Sequence, residues 1–169
     1  MGGVKVEPKR SPDDHRRFLK QYAEEYKLGT YFPEKLTLLA KSEPVSFQWL
    51  RETEHGSVVF LMSASCSACN MGPVQEFTER FGAFRYCVLF EGSAEAMEQQ
   101  QEIYDLDVPF YLCDTVKLQS QLKVGAVPYA LILNKLGQAV GADIFNDCEK
   151  LERLAAPLIR VYERSLAQV

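Results

Sequence analysis

Apolar and polar positions along this chain follow two rhythms, one of about 2 residues and one of about 3.6, the signatures of strand and helix. The clearest strand covers 58–62, where Val58, Val59, Phe60, Leu61 and Met62 are continuously apolar and β-branched at the start. It stops at Ser63, Ala64 and Ser65, and Val74, Phe77 and Phe81 then recur at helical spacing. Downstream the pattern predicts a strand over 84–90, a Glu- and Gln-rich helix over 95–104, a short strand over 110–113 and a helix over 115–122. Leu131, Ile132 and Leu133 then pair with Ala139, Val140 and Gly141 in a hairpin about Asn134, Lys135, Leu136 and Gly137. Asn146 and Asp147 cap a last helix that buries Leu151, Leu154, Leu158 and Tyr162. Pro157 is expected to kink that helix or end its first part, since an interior proline costs roughly 3 kcal/mol.

Upstream of the central strand the pattern is weaker. Residues 1–10 are short, polar and marked by Gly and Pro, and read as a flexible lead-in. Ser11, Pro12, Asp13 and Asp14 form a helix start: a capping hydroxyl, a first-turn proline and acids near the positive end. Phe18, Leu19, Tyr22 and Tyr26 then make one apolar stripe, giving an amphipathic helix over 11–29 that ends at Gly29 and docks on its own domain. Arg16, Arg17 and Lys20 mark its solvated face. Strands over 36–39 and 45–47 flank a polar turn at Lys41, Ser42 and Glu43, and a short helix over 48–52 ends before Gly56. Strands alternating with helices imply right-handed crossovers and a partly parallel sheet covered on both faces. The expected fold is α/β, with one main domain over 30–169.

Composition narrows the function. At 169 residues with 47% hydrophobic and 11% aromatic content, the chain can bury a proper core. A net charge of −4 gives no electrostatic case for nucleic acid. No apolar run approaches the roughly 18 residues of a membrane span, and no charged leader precedes an apolar stretch. Five cysteines, with one closely spaced pair, do not make a stapled scaffold or a Cys₄ zinc site. Cys87, Cys113 and Cys148 stand alone, so no metal is assigned. Cys87 reads as a small buried hydrophobe, Cys113 as either buried or a secondary thiol, and Cys148 as a structural or surface thiol.

The chemistry lies at Cys66-Ser67-Ala68-Cys69, placed between a strand and a helix, where such a pair reads as a redox motif. Residues three apart share a helix face, so the two sulfurs are expected to meet on the first helical turn. Unpaired N–H groups and the positive dipole end there would favour a thiolate, the reactive form. Moving a cysteine from about 8.5 to about 7 takes roughly 2 kcal/mol of preferential anion stabilisation. Cys66, at the outer edge, is expected to attack, and Cys69, one turn deeper, to resolve. His15 and His55 are remote in sequence from the pair and support no Cys/His nucleophile.

A second landmark is Val124-Gly125-Ala126-Val127-Pro128, opening the apolar strand that leads to Gly137. Proline is tolerated at the first residue of a strand, and cis peptides are essentially confined to X-Pro bonds. Together the two landmarks resemble the thioredoxin superfamily over roughly residues 36–163. The hairpin before the central strand, and the extra helix and strand before the proline loop, resemble its TlpA/ResA branch. That resemblance implies a thioredoxin-like fold with an N-terminal hairpin and a helix-strand insertion before a cis-proline loop. It implies thiol–disulfide exchange at Cys66 and Cys69, with Val127 and Pro128 holding substrate backbone and Ser67 and Ala68 beside them. Protein thiols or disulfides would be the substrates, with a redox partner, no cofactor and a monomeric state. Relatives of that branch are commonly tethered outside the cytoplasm, which favours a membrane tether preceding this chain; with Met1 as the true start the reading is cytoplasmic.

The chain departs from the thioredoxin pattern in several places. Ser65 replaces the Trp before the first cysteine, and Ser67-Ala68 carries no proline. Pro73 stands one place early, and the strand over 58–62 lacks the buried acid used as proton acceptor, for which Glu91 is a substitute candidate. Two alternatives stay open. Peroxiredoxins carry a proline and a Thr or Ser ahead of the attacking cysteine, and here Ser63 is present without the proline. A non-catalytic binding module would use the dithiol as a lock or sensor.

Overall fold

A computed structural model describes residues 26–39 and 41–169. Most of the predicted helix over 11–29 lies outside these; residues 26–29 within them carry no helix, and Gly29 turns the chain with φ +87°. A two-residue antiparallel pair, β1 (Lys35–Leu36) and β2 (Val45–Ser46), stands where the longer hairpin is predicted. A 3₁₀ turn over Gln48–Arg51 follows.

The main sheet contains β3 (Ser57–Ser63), β4 (Arg85–Glu91), β5 (Phe110–Leu112), β6 (Tyr129–Leu133) and β7 (Ala139–Ile144). Its order is β5-β4-β3-β6-β7, so β3 is central and all seven of its residues are buried. The first three strands in chain order are mutually parallel, whereas β6 runs antiparallel to both β3 and β7. Among the described residues four α-helices accompany the sheet: α1 (Gly72–Arg80), α2 (Ala94–Ile103), α3 (Thr115–Leu122) and α4 (Cys148–Ala167).

The strand period of two sorts side chains into two cores. Val58, Phe60 and Met62 of β3, with Tyr86, Val88 and Phe90 of β4, meet Val74 and Phe77 of α1 and Leu151, Ala155 and Leu158 of α4. Val59, Leu61, Cys87, Leu89 and Leu131 point the other way, onto Phe32, Phe47, Leu50 and the α3 residues Leu118 and Leu122. Continuous apolar runs in β3 and β4 therefore reflect a sheet covered on both faces.

The helix starts are locally encoded. Ser93 accepts from the Ala96 amide, Asp114 from the Val116 and Lys117 amides, and Asp147 from the Lys150 amide. Pro157 does not end the last helix, which runs for 20 residues through it. Pro157 and Arg153 are both exposed, so the Arg153 carbonyl, four residues back, loses its helical partner on the side where water can replace it.

Gly141 lets α4 lie close to β7. A Cβ there would stand 2.5 Å from the Leu154 carbonyl oxygen and 3.2 Å from Ile132 Cγ1. Gly141→Ala is therefore expected to cost about 1–3 kcal/mol and to lower Tm in thermal denaturation, as overpacked sites do. At Gly82, where a Cβ meets nothing within 4 Å, the same change should leave Tm within a degree or so of wild type.

Candidate active site

Parallel strands deliver their carboxyl ends to one edge of the sheet, where crevices form between the loops that follow. Ser63 ends β3 and pairs in register with Glu91, which ends β4. Because β6 runs the other way, it begins at this same edge, with Tyr129 opposite Leu61. Topology thus gathers the cysteine turn, Glu91, the start of α3 and the Val127-Pro128 bend.

The cysteine pair does not occupy the first turn of a helix, as the spacing predicts. Helix α1 begins at Gly72, and Cys66 and Cys69 lie in the preceding turns. The cause is local. The Asn70 side chain accepts from the Gly72 amide at 2.8 Å, and Pro73 sits in the first turn of α1, where its missing N–H costs nothing. The sulfurs are brought together by a tight turn instead. Cys69 N–H donates to the Cys66 carbonyl at 3.2 Å, and Cys66 N–H donates to the Ser63 carbonyl at 3.3 Å.

Both thiols are free and half-buried, and they sit close together. The Cys66 thiol also reaches the Val127 carbonyl oxygen at 3.7 Å, and the Val127–Pro128 peptide bond is cis. Ser67 and Ala68 are exposed beside the sulfurs, Val127 is half-buried and Pro128 is buried. The six residues expected at the site therefore lie on two adjacent segments, joined through Cys66.

The Cys69 thiol is pushed up to about 12, chiefly by burial and then by its hydrogen bond with Cys66, against a smaller opposing pull from the Ser63 backbone. The remaining thiols are buried. Burial holds Cys87 well above the usual thiol range, and burial with the Glu91 and Asp114 carboxylates pushes Cys113 up to about 12. Cys148 is raised first by burial and then by Glu76 and Glu152. Reactive cysteines need thiolate character and access, so the half-buried pair is the chemically available one.

A polar network backs the turn. Ser63 Oγ donates to Glu91 Oε1 at 3.3 Å; a carboxylate only accepts, so the Ser65 hydroxyl donates to Ser63 Oγ across 3.0 Å. Glu91 Oε2 accepts from the Thr115 amide at 2.8 Å and from the Thr115 hydroxyl. Sequence reasoning reaches Glu91 but not Thr115, whose signal is only its place as the first residue after a capping Asp.

Two clefts meet at Cys66. One, of about 250 Å³, is lined by Ser63, Ser65, Glu91, Thr115 and the 124–127 loop. The other, of about 260 Å³, lies over Cys69, Met62, Met71 and Phe90, with Gln99 and Gln100 at its side. A larger hollow of about 690 Å³, near Trp49, Arg85 and Asp107, contains none of the expected site residues. Among the described residues no group of three or more His, Cys, Asp or Glu side chains is arranged to hold a metal ion. No helix among them is long and apolar enough to cross a membrane.

No family model matches the chain, and no curated protein matches it. Solved structures do. A thioredoxin-like protein in its oxidised form is similar over 79% of this chain and 97% of its own, at 19% identity and a TM-score of 0.61. A thiol:disulfide interchange protein from Bacteroides sp. is similar over 77% of this chain and 91% of its own, at 15% identity and a TM-score of 0.57. A secreted disulfide oxidoreductase from Mycobacterium tuberculosis is similar over 73% and 94%, at 16% identity and a TM-score of 0.54. The chain has a thioredoxin-like fold, a mixed five-stranded sheet flanked by four helices.

The contrast between the thiols is measurable. In a Cys66→Ser variant, alkylation of Cys69 by iodoacetamide should rise about tenfold per pH unit from pH 7 to 10, because its thiolate fraction grows in that proportion below a high pKa. A plateau near pH 9, followed by mass spectrometry of the labelled peptide, would contradict the burial argument.

Proposed function

We propose that this chain is a thiol–disulfide oxidoreductase acting on protein disulfides. The observation that carries the reading is the Cys66 thiol, close to Cys69 and within reach of the carbonyl before cis-Pro128. The fold supports it too, being shared with solved structures named as thiol:disulfide interchange proteins and disulfide oxidoreductases.

The steps balance without a cofactor. Cys66, as thiolate, attacks one sulfur of the substrate disulfide; a Cys66–substrate bond forms and the second substrate sulfur leaves as thiolate. Cys69 loses its proton and attacks the Cys66 sulfur, closing the Cys66–Cys69 disulfide and expelling the remaining substrate sulfur. Two electrons pass from the dithiol to the substrate, and an external dithiol returns them. Substrate backbone beside Val127 would lie next to the attacking sulfur, with Ser67 and Ala68 at the exposed rim. The high Cys69 pKa makes the second step the one that needs a base.

Cys66→Ser is expected to abolish reduction of an insulin-type disulfide. Cys69→Ser should retain the first step and accumulate a mixed disulfide visible by non-reducing electrophoresis. Wild-type turnover from Cys66→Ser would dispose of the reading, as would the absence of any mixed disulfide in Cys69→Ser.

A further inference from the structure

The two clefts that meet at Cys66 differ in charge. The side over Met62, Met71 and Phe90 carries no charged group in its lining, only the amides of Gln99 and Gln100. The side beside the 124–127 loop carries one, the Glu91 carboxylate. Every donor that holds this carboxylate is neutral: the Ser63 hydroxyl, the Thr115 hydroxyl and the Thr115 amide. Glu91 is not among the ion pairs of the described residues, which join Arg51 to Glu34, His55 to Glu54, Arg80 to Glu152 and Lys150 to Asp143. The positive end of α3 offsets part of its charge, but among the described residues no side-chain cation pairs with it.

A second negative charge lies nearby. Asp114, the residue that caps α3, and Glu91 both raise the buried Cys113 thiol. Glu91 Oε1 accepts a single hydrogen bond, from Ser63, and a carboxylate oxygen has room for a second. A cleft with low-dielectric walls and one sign of charge focuses its potential on whatever enters. Here the walls are Leu61, Leu118, Val124 and Val127, and Cys66 opens onto the same space.

We infer that Glu91 sets substrate choice, so that the protein reacts preferentially with disulfides whose cysteine is flanked by Lys or Arg and disfavours anionic disulfides. This rests on the exchange activity proposed above. A basic side chain beside the scissile sulfur would point its cation at Glu91 Oε1, while an acidic one would meet a charge of its own sign. Glu91 acts here as a specificity determinant.

The test uses two disulfide-linked peptides, identical except that the cysteine is flanked by lysine in one and glutamate in the other. Reduced full-length protein is mixed with each at low ionic strength, and rates are divided by those with dithiothreitol, an uncharged reductant, to remove the peptides' own reactivity. Wild type should favour the lysine peptide by about three- to fivefold, the effect of one partly exposed charge pair. Glu91→Gln, whose amide oxygen keeps an acceptor for Thr115 while its NH₂ can donate to the Ser63 hydroxyl oxygen, should bring the ratio close to unity. Raising salt to about 0.5 M should shrink the wild-type ratio without any change of sequence, since screening shortens the reach of the field. Equal normalised rates in wild type, or a lysine preference that survives Glu91→Gln, would overturn the specificity role and leave the exchange activity standing. If neither peptide reacts with Cys66, the exchange activity fails and the specificity role falls with it.

Discussion

The arrangement depends on β3 being gripped from both sides by strands of opposite sense. Parallel pairing with β4 brings Glu91 level with Ser63, and antiparallel pairing with β6 brings Tyr129 level with Leu61. A one-residue slip in either ladder would turn every β3 side chain to the opposite face, exchanging the two cores. The burial of all seven β3 residues makes such a slip prohibitive. That register is what fixes the distance from Cys66 to the Val127 carbonyl, although the two residues are 61 positions apart in the chain.

Around this frame the chemistry is divided by burial. Five thiols are present, and three are enclosed where the thiolate is costly. The remaining two differ from each other. Cys69 packs against the apolar cluster that contains Met71 and Phe90, while Cys66 faces both clefts. The polar residues of the turn do not dilute the core, because each hydroxyl that is removed from water finds a partner. Ser63 is nearly fully buried and bonds to Glu91 and Ser65, and no described buried side-chain N or O atom lacks a partner.

The start of α1 shows how a small local preference redirects a site. Cys-x-x-Cys spacing suits a helical turn, but an Asn70 side-chain bond and a proline at position 73 place the helix boundary three residues beyond Cys69. The two sulfurs still meet, through an i to i+3 turn in place of a helical one. Dipole assistance, which falls off within the first turn, is correspondingly displaced from Cys66. Charge near that sulfur is supplied by the backbone turns and, on one side, by Glu91.

What the chain determined by itself is what short-range pattern encodes. The strand over 58–62, the final amphipathic helix with its cap at Asp147 and the reactive pair are all legible, because periodicity and capping act within a few residues. The N-terminal strands shrink to two residues each, since the pair forms a separate two-stranded sheet with no third strand to extend it. Pro157 is absorbed into α4 because the hydrogen bond it forfeits faces solvent, a fact of orientation that local rules do not contain. The Glu91, Ser63 and Thr115 network, and the two clefts that part at Cys66, were decided only by the tertiary structure. Their members come from separate strands and helices, and hydrogen bonds spanning 24 to 28 residues leave no periodic trace along the chain.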